Sequence, residues 1–229
     1  MAKILHSHPD FLLVDKPAGV HFHSQTGSAG LVAQLAEETG EALYPVHRLD
    51  TPTSGLLLLA RSPAAAAALT ERFTEHKVEK RYLALSAHKP KKKQGTVKGG
   101  MAKARRGAWK LVPGQTQFAV TQFVSHSLRP GVRAFLLRPR SGRTHQIRVA
   151  LKSLGAPILG DGLYGGAEAD RTYLHALGLA FEWQGERLSF WCPPTQGALW
   201  GDELSPLLEQ WQQSPPSWPG EGEPKASIL

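Results

Sequence analysis

The apolar residues of this chain fall in short runs that end at turn-forming residues. Residues 11–14 (FLLV) are followed by DKPAG, and residues 56–59 (LLLL) form a second run that is too short for a helix. Runs of this length bounded by turns predict buried strands. No apolar run approaches the ~20 residues that a membrane-spanning helix needs. The sequence therefore predicts a core built on short strands, with no segment that crosses a membrane.

Helices are predicted at three places between the strands. Residues 30–38 carry apolar side chains at helical spacing, and Gly40 is a suitable C-cap. Ser62 can cap a second helix whose first position is a proline, and residues 145–154 can form a third. Because these elements do not follow a regular βαβ repeat, the sequence predicts an α+β fold with a mixed, mainly antiparallel sheet flanked by helices.

The other segments complete one predicted domain, which we assign to residues 1–205. Strand-like patterns occur at 81–86, 117–124, 132–137, 173–181 and 187–192. The glycine-containing basic stretch 89–106 is predicted to be a mobile loop or a hairpin. Residues 206–229 are expected to form a poorly ordered tail, because the end of the chain is rich in Pro, Ser and Glu.

Basic side chains are concentrated in two segments that contain no acid. Nine Lys and Arg residues lie between Lys89 and Lys110, and seven lie between Arg129 and Lys152. Since the whole chain carries +8, the remainder is net negative. This polarity favours a polyanion-binding face, and nucleic acid is the usual polyanion in a cell. The alternative is a solvated loop that keeps the protein soluble.

Two candidate residues for chemistry lie in the first half of the chain. Asp50 stands in HRLDTPTSG, between a predicted loop and the strand at 56–59. By residue pattern alone it is either a turn or capping residue or a nucleophilic carboxylate at a sheet edge. Tyr82 lies in a predicted strand, where a tyrosine is most often a packing residue.

A third cluster opens the helix predicted over 145–154. Its sequence, SGRTHQIR, places Arg143 and His145 in the first turn, a suitable position for anions. Arg148 lies about one turn after Thr144 and on the same helix face, and its alternative role is an ordinary surface ion pair.

The ordered set of clusters resembles the RluA family of RNA pseudouridine synthases. The resemblance extends from about residue 4 to residue 192. The matching segments are 13–19 (LVDKPAG), 47–50 (HRLD) with 53–55, 80–82 (KRY), 141–148 (SGRTHQIR), 160–166 and 174–176 (LHA). The resemblance implies a single α+β catalytic domain with a central RNA-binding cleft. Many members add an N-terminal S4 domain, for which a pattern starting near Ile4 leaves no room.

The family's activity is the conversion of uridine to pseudouridine in structured RNA. The resemblance implies a stem-loop of tRNA or 23S rRNA as the partner, and neither a cofactor nor a metal. It makes Asp50 the catalytic carboxylate and Arg148 the basic residue that keeps it ionised and aimed. Tyr82 would stack on the base, which must be flipped out of the RNA, and would assist proton removal at C5. Leu174 would line the apolar pocket, and Arg48 would occupy the vacated stack.

The basic segments then acquire a function, which is to hold the phosphates of the RNA. The residues expected to contact the RNA backbone are Lys91, Lys92, Lys93, Arg105, Arg106, Arg143 and His145. A cytoplasmic location is expected, because the first nine residues lack the apolar region of a signal peptide. The protein is also expected to be a monomer. The lone Cys192 excludes an internal disulfide framework and a multi-cysteine zinc site.

Two other functions compete with the synthase. A non-catalytic RNA-binding or chaperone protein on the same fold would explain the basic segments, but not the joint presence of Asp50, Tyr82 and Arg148. A metal-dependent nuclease could use His21 and His23 together with a carboxylate.

Overall fold

The computed structural model describes residues 2–22, 24 and 29–219. The chain forms two compact units, each built from two stretches of sequence. The first unit contains residues 1–83 and 168–200, and the second contains residues 84–167 and 201–229.

The first unit is built on strands that pair in the order β1–β2–β4–β10–β11, with β3 also paired to β4. Their bounds are β1 Lys3–Ser7, β2 Phe11–Lys16, β3 Tyr44–Pro45, β4 Ser54–Ala60, β10 Leu174–Trp183 and β11 Glu186–Trp191. Pairing is mixed, because β4 and β10 are parallel whereas β2 and β4 are antiparallel. The parallel contact begins where Ser54 lies opposite His175.

The predicted strands and helices of this unit are confirmed. All seven residues of β4 are buried, as in strands that are covered on both faces. Helices α1 (Leu31–Thr39) and α2 (Pro63–Thr74) bury Leu31, Leu35 and Leu69 in the same core. The hydroxyl of Ser62 accepts a hydrogen bond from the Ala65 amide, which is the predicted cap of α2.

The second unit contains an antiparallel sheet in the order β7–β6–β8–β9. The bounds are β6 Gln94–Lys103, β7 Trp109–Val112, β8 Ala119–Arg129, β9 Val132–Pro139, with helices α3 Gln146–Ser153 and α4 Leu204–Gln213. In strand β5 (Glu79–Ser86) the chain passes from the first unit to the second. The basic stretch 89–106 contains β6, which pairs with β7, so the hairpin expectation is confirmed and the mobile-loop alternative is wrong.

The expectation that residues 206–229 are poorly ordered is wrong for residues 206–213, which lie in helix α4. Leu204, Leu208 and Trp211 recur at helical spacing and are buried, and the Trp211 ring lies edge-on to His126. The helix was not predicted because the high Pro, Ser and Glu content of the segment indicated disorder, although the segment has an apolar face. Residues 220–229 lie outside the described part of the chain, and the assignment of residues 1–205 to one domain stays a prediction.

The α+β class predicted from the sequence is confirmed, with mixed strand pairing and, within the described ranges, four α-helices. Over the residues that the structure describes, none of the helices combines the length and apolar character that crossing a membrane requires.

Candidate active site

Asp50 lies in the turn that leads into β4. Its main-chain carbonyl accepts a hydrogen bond from the Thr53 amide at 2.9 Å, which closes the four-residue turn. The main chain of Asp50 makes this bond, and the residue as a whole is half-buried. The turn therefore places a carboxylate at the start of a buried strand without enclosing it.

Lys16, at the end of β2, binds the main chain of this turn. Its ammonium donates to the carbonyl oxygens of Thr53 at 2.8 Å, Pro17 at 2.9 Å and Thr51 at 3.1 Å. Lys16 is 0% exposed, and burial lowers its pKa to about 8, while the negative charges of Asp50 and Asp15 act in the opposite direction. Three N–H groups meeting three carbonyls satisfy a buried ammonium completely.

Lys16 is a functional candidate that the sequence reasoning missed. The available signal was a lysine at the end of an otherwise apolar strand, within the DKPAG turn. A lysine in that position is rarely buried unless it has partners.

His47 fixes the segment that precedes the turn. Its Nε2 accepts a hydrogen bond from the Leu58 amide at 2.9 Å, and its ring stacks on Phe73 with centroids 4.4 Å apart. Burial lowers the pKa of His47 to about 3, and the Lys80 charge contributes to the shift. His47 is therefore a neutral anchor between the Asp50 turn and β4, rather than a proton-transfer group at neutral pH.

Tyr82 lies on β5 and is half-buried, with its side chain packed against the core of the first unit. Burial raises the pKa of its phenol, and the negative charge of Asp50 raises it further. The structure thus brings Tyr82 within electrostatic reach of Asp50. The phenol remains protonated at neutral pH, so it can stack or donate a hydrogen bond but does not act as a phenolate base.

A partly buried chain of hydrogen bonds holds the strand ends beside the Asp50 turn. Arg171 Nη2 donates to Ser54 Oγ at 2.7 Å, and Ser54 Oγ lies 2.8 Å from His175 Nδ1. His175 Nε2 lies 2.7 Å from the Cys192 carbonyl oxygen, which can only accept, so Nε2 carries the proton and Nδ1 accepts from Ser54. Burial lowers the pKa of His175 to about 4. This chain fixes the position of Leu174, which is buried.

Gly55 lets β4 approach β10 closely. It has φ +105°, and a Cβ atom there would lie 2.3 Å from the Ala176 carbonyl oxygen. Any other residue would push apart the two strands that carry Ser54 and His175. The close approach therefore fixes the distance between the Asp50 turn and the Leu174 end of β10.

Arg148 belongs to the second unit, on helix α3. Its Nε and Nη2 donate to the two carboxylate oxygens of Asp161 at 2.7 and 2.8 Å. Both side chains are buried, so the surface ion pair considered for Arg148 is wrong. Asp161 is a second residue that the sequence reasoning missed, although it lies in the matched segment 160–166. The role of Arg148 as the partner of Asp50 stays a prediction.

The residues expected to contact RNA phosphates are at the surface of the second unit. Exposed side chains in this set are Lys91, Lys92, Lys93, Arg105, Arg106 and Arg143. His145 is half-buried at the N-terminus of α3, and Arg48, in the first unit, is exposed. From Lys80 to Gly160 the sequence contains no Asp or Glu, so the positive charge of the second unit is opposed by few acids.

No group of three or more His, Cys, Asp or Glu residues that could bind a metal ion occurs within residues 2–22, 24 and 29–219. His21 Nδ1 lies 3.2 Å from the Thr51 hydroxyl. His23, the other histidine of the nuclease hypothesis, is outside the described residues.

Residues 10–153 match the family model described as RNA pseudouridylate synthase. The chain belongs to this family. A protein of Haemophilus influenzae, named as an uncharacterized RNA pseudouridine synthase, is 47% identical over 201 residues, which cover 86% of this chain and 90% of that protein. The ribosomal large subunit pseudouridine synthase C of Rickettsia bellii is 33% identical over 171 residues, covering 71% and 56% of the two chains. The solved structure of human RNA pseudouridylate synthase domain containing 1 is similar with a TM-score of 0.72 and 26% identity, over 91% of this chain and 95% of that one.

As an RNA pseudouridine synthase, the chain is an isomerase that acts on uridine in RNA. The predicted family and enzyme class are confirmed. The comparisons support an enzyme rather than a non-catalytic RNA-binding protein. The matched range contains Asp50, Tyr82 and Arg148 and ends before Asp161.

Proposed function

We propose that Asp50 is the catalytic carboxylate of this synthase, acting on a uridine in a stem-loop of tRNA or 23S rRNA. The observation that carries the proposal is the turn itself. A half-buried carboxylate stands on a main-chain turn whose carbonyls are held by the buried Lys16 ammonium. A rigid turn holds the carboxylate in one orientation, which is what a positioned nucleophile or base needs.

The reaction needs no oxidant, reductant or energy source. The bond between uracil N1 and the ribose C1′ breaks, and a bond between C5 and C1′ forms. C5 loses its proton to solvent and N1 ends protonated, so atoms and electrons balance. Asp50 supplies the negative charge that assists cleavage at N1. Tyr82 offers its ring to the detached base, and Leu174 offers an apolar surface.

A uridine within an RNA helix must leave the stack before Asp50 can reach it, at a cost of a few kcal/mol. Arg48, two residues before Asp50, is exposed and can enter the vacated position. The exposed cations of the second unit provide phosphate contacts that offset this cost.

Relatives support one of the two RNA classes in particular. The matching proteins of Rickettsia bellii and Rickettsia conorii are both named ribosomal large subunit pseudouridine synthase C. These names favour 23S rRNA, while a tRNA stem-loop offers the same combination of an unpaired uridine and flanking phosphates.

The test compares Asp50→Asn with the wild type and with Glu37→Gln, which changes an exposed carboxylate on α1. RNA labelled with tritium at uridine C5 is prepared from cells that lack the protein, and tritium release is measured. We expect Asp50→Asn to abolish release while the dissociation constant for RNA stays within about twofold, because the amide preserves shape but not charge. Glu37→Gln should behave as wild type. Turnover by Asp50→Asn would refute the assignment.

The same RNA identifies the target. Pseudouridine positions are mapped in total RNA from cells with and without the gene. A position that disappears without the gene and returns with wild type, but not with Asp50→Asn, is the substrate. If that position lies outside tRNA and 23S rRNA, the proposed substrate class is wrong.

A further inference from the structure

In the second unit, Tyr164 contacts both Arg148 and the basic hairpin, defined here as β6, β7 and their connection (residues 94–112). The Tyr164 hydroxyl accepts a hydrogen bond from the Trp109 amide of β7 at 2.9 Å. The same hydroxyl lies 2.7 Å from His145 Nδ1. The Arg148 guanidinium lies over the tyrosine ring, 4.9 Å from its centroid. One side chain thus joins the hairpin to both ends of the first turn of α3.

Asp161 fixes the same guanidinium from another direction. The carboxylate is 1% exposed and accepts from Arg148 Nε and Nη2 in a bidentate pair. Such a pair defines the plane of the guanidinium as well as its position. Removing the charge of Asp161 leaves a buried cation without this counter-charge.

Asp161 and Tyr164 stand on one rigid turn. The Asp161 carbonyl accepts from the Tyr164 amide at 3.1 Å and from the Gly166 amide at 2.9 Å. A Cβ atom on Gly166 would lie 1.8 Å from the Ile158 carbonyl oxygen, so the turn packs directly against main chain. The two side chains are therefore held at a fixed spacing beneath Arg148 and the hairpin.

We propose that Asp161 and Tyr164 are positioning residues with separable tasks. Asp161 sets the Arg148 guanidinium for the chemical step, and the Tyr164 hydroxyl sets the basic hairpin for contact with RNA phosphates. This inference rests on the proposed function, in which the basic segments bind the RNA backbone, and on the prediction from the sequence that Arg148 assists Asp50.

The tasks are separable because the two residues use different atoms. Tyr164→Phe keeps the ring beneath Arg148 but removes the hydroxyl bonded to Trp109 and His145. Asp161→Asn keeps the size of the side chain but removes the charge paired with Arg148, and the hairpin bond to Tyr164 remains. A merely structural role for the turn predicts similar effects of both variants on binding and turnover.

The experiment measures the dissociation constant for RNA and the rate of tritium release at saturating RNA, using the full chain and the C5-labelled RNA described above. Tyr164→Phe should weaken RNA binding roughly fivefold to tenfold, the effect of one or two lost hydrogen bonds, with kcat changed less than about twofold. Asp161→Asn should lower kcat by about 100-fold, the cost of a slightly misplaced group, with little change in the dissociation constant.

Tyr44→Phe is the matched control, because it removes a tyrosine hydroxyl from β3 of the first unit, and it should behave as wild type. Should Asp161→Asn fail to fold, as judged by thermal unfolding, Asp161→Glu replaces it. That variant keeps the charge but displaces the carboxylate by one methylene group, and it should lower kcat without weakening binding.

Two outcomes separate this inference from the proposed function. No tritium release by the wild type would contradict the proposed function, and with it the tasks assigned here. Wild-type activity with parallel losses of binding and kcat in both variants, or with no loss in either, would overturn the positioning tasks alone.

Discussion

At the scale of single residues, the position of Asp50 depends on whether the buried amine of Lys16 is protonated. An ammonium has three N–H groups, one for each of the carbonyls of Pro17, Thr51 and Thr53. A neutral amine has only two, so deprotonation leaves one buried carbonyl without its donor. Loss of the proton should therefore loosen the turn that carries Asp50.

The expected outcome is a fall in kcat at saturating RNA as the pH rises through about 8, the pKa to which burial lowers Lys16. The free energy of unfolding should change in the opposite direction and rise with pH. Between pH 8 and the ordinary pKa of lysine, ~10.4, the unfolded chain holds a proton that the folded chain has released. Over that window, Lys16 makes the free energy of unfolding increase with pH.

Measurements of kcat from pH 6.5 to 9.5, with urea unfolding at the same values, check this prediction. Lys77→Met, which removes an exposed lysine paired with Glu75, should keep the wild-type profiles. A rate that stays constant to pH 9.5 would show that the Lys16 charge does not position the turn.

At the scale of elements, the parallel contact between β4 and β10 positions the Asp50 turn beside Leu174. We expect Gly55→Ala to lower the free energy of unfolding by at least ~3 kcal/mol, because it combines a positive φ with a clash against Ala176 main chain. Gly40→Ala is the control, since Gly40 also has a positive φ but open space around it. It should cost about 1–2 kcal/mol.

Urea unfolding of both variants gives the comparison, and tritium release gives its functional consequence. The difference between the two variants reports the clash together with the additional strain at Gly55, whose φ of +105° lies outside the left-handed region that Gly40 occupies at φ +68°. Equal destabilisation of the two would mean that the strands separate without cost at Gly55.

Prediction from the sequence succeeded where an element carries its own pattern. Residues 11–14 and 56–59 lie in β2 and β4, and the Ser62 cap begins α2 as expected. Helix α4 was not predicted, because its three buried side chains are spaced among polar residues. Burial against a sheet cannot be inferred from composition. The role of Lys16 was not predicted, because two of its partners are main-chain carbonyls more than 30 residues away in the sequence. A pattern of side chains does not indicate such contacts.

At the scale of the whole molecule, positive charge is concentrated in the second unit, whose sequence contains no acid from its start at Ala84 to Gly160. Lys91, Lys92 and Lys93 precede β6 and are exposed. Backbone binding through such cations releases condensed counterions, so affinity falls with salt in proportion to the number of phosphates contacted. If the three lysines contact phosphates, their loss must reduce that salt dependence.

The triple substitution of Lys91, Lys92 and Lys93 by Ala should weaken RNA binding and reduce the slope of log affinity against log salt by about 2–3. The rate at saturating RNA should change little, since these residues do not touch the reacting atoms. Lys77→Ala, an exposed lysine of the first unit, is the control and should leave the slope unchanged. An unaltered slope in the triple variant would identify the lysines as a solubility feature, because a cation that neutralises a phosphate cannot be removed without changing the number of ions released.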